Sequence, residues 1–569
     1  MTRRLQALRV GNFKAFADTQ RIPIKPITLI FGPNSAGKSS FIHSLVLAHE
    51  AQFGREKRSL ARLDVHHTDV GGSAIDLGGF RQYVHRGQLN KRVEWGAELT
   101  VAALRADKDQ RLAQLLAPIS SVALNIAVGI ELDDQDRPKP GVAPRVDSIE
   151  IIGDGVELLR MSRRPATARA DAHAGHLRLD RITSDHAVFQ QVLKAIVESQ
   201  TTSEQMLPED FEGANEAIAA LLPELVVRVE QFFPSSVELP KTGTGDVPSV
   251  SMLFPVSKGN RKEDIAQAIR FVLPRMLNDL IKGLADALAD ELKQLQYLGP
   301  LRSFPPRHLA FAEQEDSNWY AGGGYAWDVV RRDDAVRESV NGWLGSSKLK
   351  TPYKLMVRSL VALDQLQAPL EEGLERLQEE GLDMEHEAES DYTAGGSWPV
   401  IKDVEVAAIE LLNGVEASEA DRLRELVLVD QRTNTIVTHR DVGIGISQVL
   451  PVLVMAYGSR DKLLAMEQPE IHLHPALQAE LGDVFIESAL GERNNTFILE
   501  THSEHLILRL MRRIREGKIS PDDVGVVFVE PLARGSRFIE LRIDEEGDFI
   551  DEWPGGFFEE SFHEKFEGR

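Results

Sequence analysis

The chain has 569 residues, of which 42% are hydrophobic and 27% charged, and it contains no cysteine. This composition is that of a folded protein with two or three structural regions, and it excludes disulfides and thiolate metal sites. The net charge of −23 argues against a broad surface that coats nucleic acid, and no apolar run approaches the roughly 20 residues of a membrane-spanning helix, so we expect a cytoplasmic protein.

The first predicted site is a phosphate-binding loop. The apolar run PITLIF (26–31) predicts a short strand, GPNSAGKS follows at once, and SSFIHSLVLAHEA has the apolar spacing of a helix. The loop matches G-x-x-x-x-G-K-[ST] in full, so Lys38 can reach the β- and γ-phosphates of a nucleoside triphosphate and the Ser39 hydroxyl is placed to bind Mg²⁺. The residues expected to bind ATP here are Asn34, Gly37, Lys38, Ser39 and Ser40.

The middle of the chain changes from strand-like to helical patterns. Runs such as SSVALNIAVGIEL within 90–160, separated by charged turns, predict antiparallel strands. From about 185 to 297 the pattern is helical, with a Pro/Gly/Ser loop at 239–251, and a further acidic helix is predicted near 370–390. No stretch sustains three or four apolar heptads, and Pro274 interrupts the best one, so we expect a compact insert without long coiled-coil arms.

Three segments further along place polar residues at strand ends and helix starts. The segment DVGIGISQVLPVLV (441–454) is a Gly-x-Gly-x-Ser-Gln turn that opens an apolar helix, and such a helix N-terminus suits a phosphate. The segment DKLLAMEQPEIHLHP (461–475) begins with a hydrophobic strand that ends in Glu467. In NNTFILETHSEHLILRL (494–510) a second strand leads to His502 and then to an amphipathic helix.

This ordered set of motifs resembles the heads of SMC/ABC-type ATPases and is most similar to the RecF-like and OLD-like AAA ATPases of bacteria. The start of the chain, from NFKAF onward, also resembles these ATPases. The segments YLGPLRSFPPR (297–307) and IDEEGDFIDEWPGGFFEE (543–560) resemble a subgroup that carries no nuclease domain of its own. The resemblance implies an α/β fold, a P-loop ATPase head with a mixed sheet flanked by helices, and a compact, mainly helical insert. We expect the head in 1–185 and 401–569, and the insert in 186–400, of which 297–330 returns to the head.

The resemblance also implies roles for individual residues. In such heads two subunits sandwich ATP, so the P-loop of one faces the signature turn of the other. The signature residues expected to touch the γ-phosphate of the neighbour's nucleotide are Gly445, Ser447 and Gln448. Glu467 would bind Mg²⁺ through water together with Ser39, and His502 would contact the γ-phosphate from the same subunit.

One position departs from the family pattern. ABC-type heads place a catalytic glutamate directly after the Mg²⁺-site carboxylate, and here that residue is Gln468, which cannot accept a proton from the attacking water. Either Glu470 or Glu500 is the general base, with Glu470 favoured because EQPE retains an acid, or hydrolysis is slow and the ATP-bound dimer long-lived. The predicted catalytic set is Glu467, Gln468, Glu470 and His502.

The resemblance implies a function in bacterial anti-phage defence. Like the PtuA-type ATPases, the chain would be an ATP-gated regulatory subunit that forms a homodimer or higher oligomer and controls an effector nuclease in trans. Too few residues follow the His502 helix for the TOPRIM nuclease domain of OLD enzymes, so we expect no nuclease here. The alternatives are a RecF-like DNA-repair ATPase and, in third place, an ABC transporter subunit.

Basic and histidine-rich segments leave two further alternatives open. Nucleic acid could meet local basic patches such as RLMRRIREGK (509–518), although a solvated helix face is the simpler interpretation, and Arg302 and Arg307 are candidates for a phosphate or DNA contact. Zinc commonly binds imidazoles, which makes the histidines of HHTD (66–69) and the C-terminal motifs a weaker hypothesis. The C-terminal histidines concerned are His472, His474, His502 and His505.

Overall fold

The computed structural model describes the chain in several segments, which form two compact units. The described residues are 4–54, 68, 70–72, 74–105, 110–139, 142–163, 176–200, 208–239, 261–302, 318–345, 348–360, 423–437 and 444–556. The first unit comprises Met1–Ser303, Asp316–Tyr325 and Gln448–Arg569, and the second comprises Phe304–Glu315 and Ala326–Ser447. The predicted helix near 370–390, the loop at 240–251, Arg307, Gly443 and all of HHTD except Thr68 lie outside the described residues.

The strands are β1 (Leu5–Gly11), β2 (Gln20–Pro23), β3 (Ile27–Phe31), β4 (Val93–Thr100), β5 (Ser121–Gly129), β6 (Arg145–Gly153), β7 (Val156–Arg163), β8 (Leu177–Ile182), β9 (Val226–Val229), β10 (Pro234–Glu238), β11 (Leu295–Leu298), β12 (Tyr353–Leu360), β13 (Leu423–Asp430), β14 (Thr435–Val437), β15 (Leu463–Glu467), β16 (Thr496–Glu500), β17 (Val524–Glu530) and β18 (Arg537–Glu540). The helices are α1 (Lys38–Phe53), α2 (Phe80–Tyr83), α3 (Val101–Arg105), α4 (Gln110–Leu115), α5 (Ala187–Gln200), α6 (Pro208–Leu221), α7 (Arg261–Lys293), α8 (Tyr325–Arg332), α9 (Asp334–Leu344), α10 (Ile444–Gly458), α11 (Pro475–Leu490) and α12 (Glu504–Arg515).

A six-stranded sheet in the first unit positions the P-loop. Its order is β11-β15-β16-β3-β17-β18, in which the first five strands are parallel and β18 is antiparallel to β17. Strands β3 and β15 are buried along their whole length, as expected for parallel strands with both faces covered. Since β3 is flanked by β16 and β17, the loop that follows β3 emerges at the middle of the sheet's carboxyl edge.

A second sheet in the same unit is antiparallel throughout. Its nine strands follow the order β10-β9-β8-β7-β6-β5-β4-β1-β2, and the strand-like runs of 90–160 form its β4 to β7. One hydrophobic core contains residues from both sheets, α1 and α7. The α/β class with a mixed sheet flanked by helices is therefore confirmed.

Helix α7 continues through the proline that interrupts its apolar heptads. The helix has 33 residues, with Pro274 in its interior. A proline in a helix removes one backbone hydrogen bond and crowds the preceding turn. Here Leu273 and Leu277 on either side of it are buried in the core, so tertiary packing holds the helix together across the defect.

The second unit contains a small antiparallel sheet and helices. Its sheet has the order β12-β13-β14, and Arg358 of β12 forms an ion pair with Glu425 of β13 at 2.6 Å. Helix α9 begins after Asp333, whose carboxylate accepts hydrogen bonds from two backbone N–H groups of the first turn. No helix among the residues that the structure describes is long and apolar enough to cross a membrane.

Candidate functional site

The P-loop has the backbone geometry of a phosphate cradle. Gly32 and Gly37 have φ values of 144° and 107°, a region that side chains other than hydrogen strongly disfavour. A Cβ on Gly32 would lie 2.6 Å from the carbonyl oxygen of Val529, and one on Gly37 would lie 2.4 Å from Cβ of Ala15. The two glycines are therefore required both by their backbone conformation and by the closeness of neighbouring residues.

Lys38 lies inside this loop. Its Nζ donates hydrogen bonds to the main-chain carbonyls of Gly32 at 3.1 Å and Pro33 at 3.0 Å, and the residue is only 4% exposed. Burial lowers the pKa of Lys38, while the charges of the carboxylates Glu500, Glu470 and Glu467 raise it. The ammonium group is thus placed where a phosphate chain held by the loop would replace the two carbonyls as its partner.

Two adjacent glutamates stand at the carboxyl ends of neighbouring parallel strands. Glu467 ends β15 and Glu500 ends β16, and the two are directly paired in the sheet register. The Ser39 hydroxyl donates a hydrogen bond to Oε2 of Glu500 at 2.6 Å, and Nζ of Lys38 lies 3.9 Å from Oε1. Burial and the charge of Glu467 raise the pKa of Glu500 to about 7, against the opposing effects of Ser39 and Lys38.

Glu467 contacts two other side chains, those of Tyr297 and His43. Its Oε1 accepts a hydrogen bond from the hydroxyl of Tyr297 at 2.9 Å and lies 3.2 Å from Nε2 of His43. Tyr297 lies in β11 and is only 2% exposed. Its burial and the charge of Glu467 raise the pKa of the Tyr297 hydroxyl. The sequence predicts that Ser39 and Glu467 bind Mg²⁺ together, whereas in the structure the Ser39 hydroxyl donates its hydrogen bond to Glu500.

Glu470 and His502 meet across the loops that follow these strands. Oε1 of Glu470 accepts a hydrogen bond from the backbone N–H of His502 at 2.8 Å. Oε2 of Glu470 and Nε2 of His502 are buried and have no hydrogen-bond partner in the described structure. Burial raises the pKa of Glu470, and burial together with the charge of Lys38 lowers the pKa of His502. Both side chains therefore have an unused polar atom near the P-loop lysine.

Gln468 contributes through its backbone. It has a positive φ of 45°, and its N–H donates to the carbonyl of Glu500 at 2.8 Å. Arg302 donates to the carbonyls of Gln468 at 3.0 Å and Gln448 at 2.5 Å. Arg302 is buried, which lowers its pKa to about 10, so its guanidinium braces two main-chain segments instead of facing solvent for the phosphate or DNA contact proposed from the sequence.

The remaining predicted binding residues lie in the P-loop and in the signature turn. In the P-loop Asn34 is exposed, and Ser40 is buried with its N–H donating to the carbonyl of Gly37. In the signature turn Gly445 is half-buried, while Ser447 and Gln448 are buried in the first turns of α10. Gly445 and Ser447 belong to the second unit.

The basic segment 509–518 is largely neutralised by neighbouring acids. Four arginines of this segment form ion pairs with carboxylates on α11, on their own helix end or on the following hairpin. These pairs are Arg509–Asp483, Arg513–Asp483, Arg512–Glu516 and Arg515–Asp548. The segment consequently has little unbalanced positive charge for a nucleic-acid phosphate.

The acidic cluster fits Mg²⁺ bound together with a phosphate chain. Three carboxyl groups, those of Glu467, Glu470 and Glu500, interact electrostatically with the amine of Lys38. No group of three or more His, Cys, Asp or Glu side chains arranged as a metal site is found in the described segments, and Nδ1 of His474 instead caps α11. Mg²⁺ in P-loop sites needs few protein ligands, because substrate phosphates and water complete its octahedron.

Sequence reasoning missed three side chains of this site: Lys14, His43 and Tyr297. His43 follows Ser39 by four residues on α1, a spacing that places both on one helix face, so this signal was present in the sequence. Tyr297 and Lys14 come from other elements, and no local pattern connects them to Glu467.

Two protein-family models match parts of this chain. Residues 337–507 match the family described as AAA ATPase domain, a segment that includes Glu467, Glu470, Glu500 and His502. The chain is an ATPase. Residues 519–567 of this ATPase match a protein family of unknown function, DUF3696. None of the curated proteins matches the ATPase chain.

Solved structures similar to the ATPase are heads of SMC proteins. An SMC head bound to the C-terminal winged-helix domain of ScpA has 10% identity and a TM-score of 0.35, over 95% of this chain and 98% of that one. A Pyrococcus furiosus SMC head with an extended coiled coil, bound to the C-terminal domain of ScpA, has 11% identity and a TM-score of 0.32, over 95% and 96%. The SMC head of Thermotoga maritima has 8% identity and a TM-score of 0.31, over 95% and 100%.

Proposed function

We propose that the ATPase binds Mg²⁺-ATP at the P-loop, hydrolyses it slowly and acts as an ATP-gated regulatory subunit that controls a separate effector nuclease in bacterial anti-phage defence. The observation that carries the enzymatic part is the cluster of Lys38, Ser39, Glu467, Glu470 and Glu500 around the loop, with Gln468 in the position of the usual base. The regulatory part is supported by the motif order, which resembles that of PtuA-type ATPases.

Each residue of the cluster has a task in this proposal. The loop N–H groups and Lys38 bind the β- and γ-phosphates. To do so, Lys38 gives up its hydrogen bonds to the carbonyls of Gly32 and Pro33. Ser39 and Glu467 would hold Mg²⁺, which would neutralise phosphate charge when bound. His502 presents its unpartnered Nε2 to the γ-phosphate.

Glu470 is the proposed general base. Its Oε1 is fixed by the backbone N–H of His502, which leaves the buried Oε2 for the attacking water. Burial raises its pKa toward the range in which a carboxylate accepts a proton effectively at neutral pH. Glu500 suits this task less well, because Oε2 of Glu500 is already occupied by the Ser39 hydroxyl.

Slow turnover would make the ATP-bound state long-lived, as a switch requires. ATP would be sandwiched in a cytoplasmic homodimer between the P-loop of one subunit and the Gly445, Ser447 and Gln448 turn of the other. A partner nuclease would be restrained or licensed by that closed dimer and released when ATP is hydrolysed. The nuclease activity would belong to that partner and not to the ATPase.

The test compares nucleotide binding, turnover and partner control in one experiment. The wild type and Lys38→Ala are each co-expressed with the neighbouring genes, purified, and assayed for ATP hydrolysis and for nuclease activity with and without ATP. We expect slow hydrolysis and ATP-dependent nuclease control only with the wild type. ATP-dependent DNA binding by the isolated ATPase would support the RecF-like alternative instead, which the paired arginines of 509–518 do not favour.

A further inference from the structure

Glu467 is held through one of its carboxylate oxygens by three polar side chains. Tyr297 of β11 and His43 of α1 both contact its Oε1, at 2.9 Å and 3.2 Å. Behind the imidazole, Nζ of Lys14 lies 2.7 Å from Nδ1 of His43. The contacts from Tyr297 and His43 are both to Oε1, so neither of them uses the other carboxylate oxygen, Oε2.

Lys14 determines which atoms donate and which accept in the hydrogen bonds between Lys14, His43 and Glu467. An ammonium group can only donate, so Nζ of Lys14 donates to Nδ1 of His43, and the ring hydrogen of His43 is then on Nε2. That N–H and the hydroxyl of Tyr297 then both donate to Oε1 of Glu467. Lys14 thus selects the tautomer that His43 needs in order to donate to the carboxylate.

The backbone of Lys14 is built to aim its side chain. Lys14 has a φ of 44°, an uncommon conformation that is retained only where surrounding contacts determine it. Its N–H donates to the carbonyl of Tyr83 at 2.7 Å, and its carbonyl lies 2.8 Å from Nδ1 of His85, which donates to it. These contacts hold the residue from outside the P-loop, so its position does not depend on a bound ligand.

We propose that Lys14 and His43 are positioning residues for Glu467. By occupying Oε1 from behind, the Lys14–His43 pair and Tyr297 fix the rotation of the carboxylate and present Oε2 to Mg²⁺. This inference rests on the proposed Mg²⁺-ATP site. Partners of this kind orient metal-ligating groups in many proteins, and their removal typically lowers metal affinity by about 10–100-fold.

The experiment measures how Mg²⁺ strengthens the binding of a non-hydrolysable fluorescent ATP analogue, and how Mg²⁺ activates turnover, in the full chain. We expect His43→Gln to raise the Mg²⁺ concentration that gives half of the maximal effect by about 10–100-fold in both assays. The affinity for the analogue in EDTA should be unchanged. Excess Mg²⁺ should restore turnover. Lys14→Met leaves the imidazole in place, so we expect a smaller shift in the same direction.

His49→Gln is the matched control, because His49 is also a half-buried histidine of α1 but packs on Phe53. It should leave the Mg²⁺ dependence at the wild-type value. If Glu467→Gln shifts the Mg²⁺ dependence while His43→Gln and Lys14→Met do not, the positioning inference is wrong and the proposed site stands. If Glu467→Gln causes no shift either, the Mg²⁺ assignment fails and the inference fails with it.

Discussion

The backbone N–H and carbonyl of Gln468 both form hydrogen bonds. Its side chain is an amide and cannot act as the general base. Its N–H and carbonyl bind Glu500 and Arg302, so a substitution of the side chain leaves these contacts in place. We expect Gln468→Glu to increase ATP turnover, because it adds a group that can accept a proton, and general bases contribute about 10²–10⁴-fold. The measurement is steady-state phosphate release.

Removal of the proposed base gives the complementary result. We expect Glu470→Gln to lower turnover about 100-fold or more, to the level of Lys38→Ala, while ATP still binds. Glu492→Gln, at an exposed position, is the control and should behave as the wild type. If Glu470→Gln keeps the wild-type turnover, Glu470 is not the general base, and Glu500 is the next candidate.

Glu500 makes the stability of the nucleotide-free protein depend on pH. Its pKa is raised from 4.5 to about 7, mainly by burial, so between these values the folded state holds a proton that the unfolded chain releases. The free energy of unfolding therefore falls as pH rises through this window and levels off above about 7, a loss on the order of 3 kcal/mol.

The variant Glu500→Gln should lack this slope. In denaturant unfolding without nucleotide, we expect it to match the wild type near pH 4.5 and to exceed it in stability at pH 8. Glu492→Gln should retain the wild-type profile. Parallel profiles for Glu500→Gln and wild type would show that Glu500 is ionised throughout the window.

At the scale of elements, the turn from β3 to α1 tolerates no side chain at its first residue. We expect Gly32→Ala to abolish ATP binding and to cost more than about 1 kcal/mol, because its Cβ would meet the backbone of β17 and its φ is positive. Gly342→Ala in α9 should instead stabilise the protein by about 0.5–1 kcal/mol, since nothing lies within 4 Å of the added Cβ.

Thermal melting and analogue binding measured on both variants check this contrast. Analogue binding by Gly32→Ala at the wild-type level would show that the loop can shift away from β17. A loss of stability in Gly342→Ala would show that the added methyl group at this position of α9 meets a neighbouring group.

Elements with a local pattern were predictable from the sequence, and contacts between elements were not. The run PITLIF before the loop became β3, and the alternating runs of 90–160 became antiparallel strands, because each pattern reflects burial within its own segment. The pairing of Ser39 with Glu500 depends instead on the order of β15, β16 and β3, which no single segment encodes. Helix α7 passed through Pro274 for the same reason, since its stability comes from the core.

For the whole molecule, the proposal predicts an ATP-dependent change in oligomeric state. We expect Glu470→Gln with ATP and Mg²⁺ to form a stable dimer, because nucleotide held without hydrolysis keeps the two sandwiched sites closed. Lys38→Ala under the same conditions should remain at the mass of one 63.3 kDa chain. Light scattering after size-exclusion chromatography measures both masses.

Wild type with ADP is the control for this experiment and should behave as Lys38→Ala. A mass of one chain for Glu470→Gln with saturating ATP would contradict the sandwich. A dimer of the same size in all samples, with or without nucleotide, would show that association does not depend on the switch.

The position of β3 in its sheet has a consequence for biosynthesis. Both of its neighbours, β16 and β17, are synthesised long after β3, whereas the strands of the antiparallel sheet, β1, β2 and β4 to β10, all precede β16 and β17 in the chain. The antiparallel sheet can therefore assemble on the ribosome while β3 still exposes two unpaired edges. Until β16 and β17 emerge, the nascent ATPase cannot complete its nucleotide site, and the unpaired edges of β3 are open to pairing with other chains.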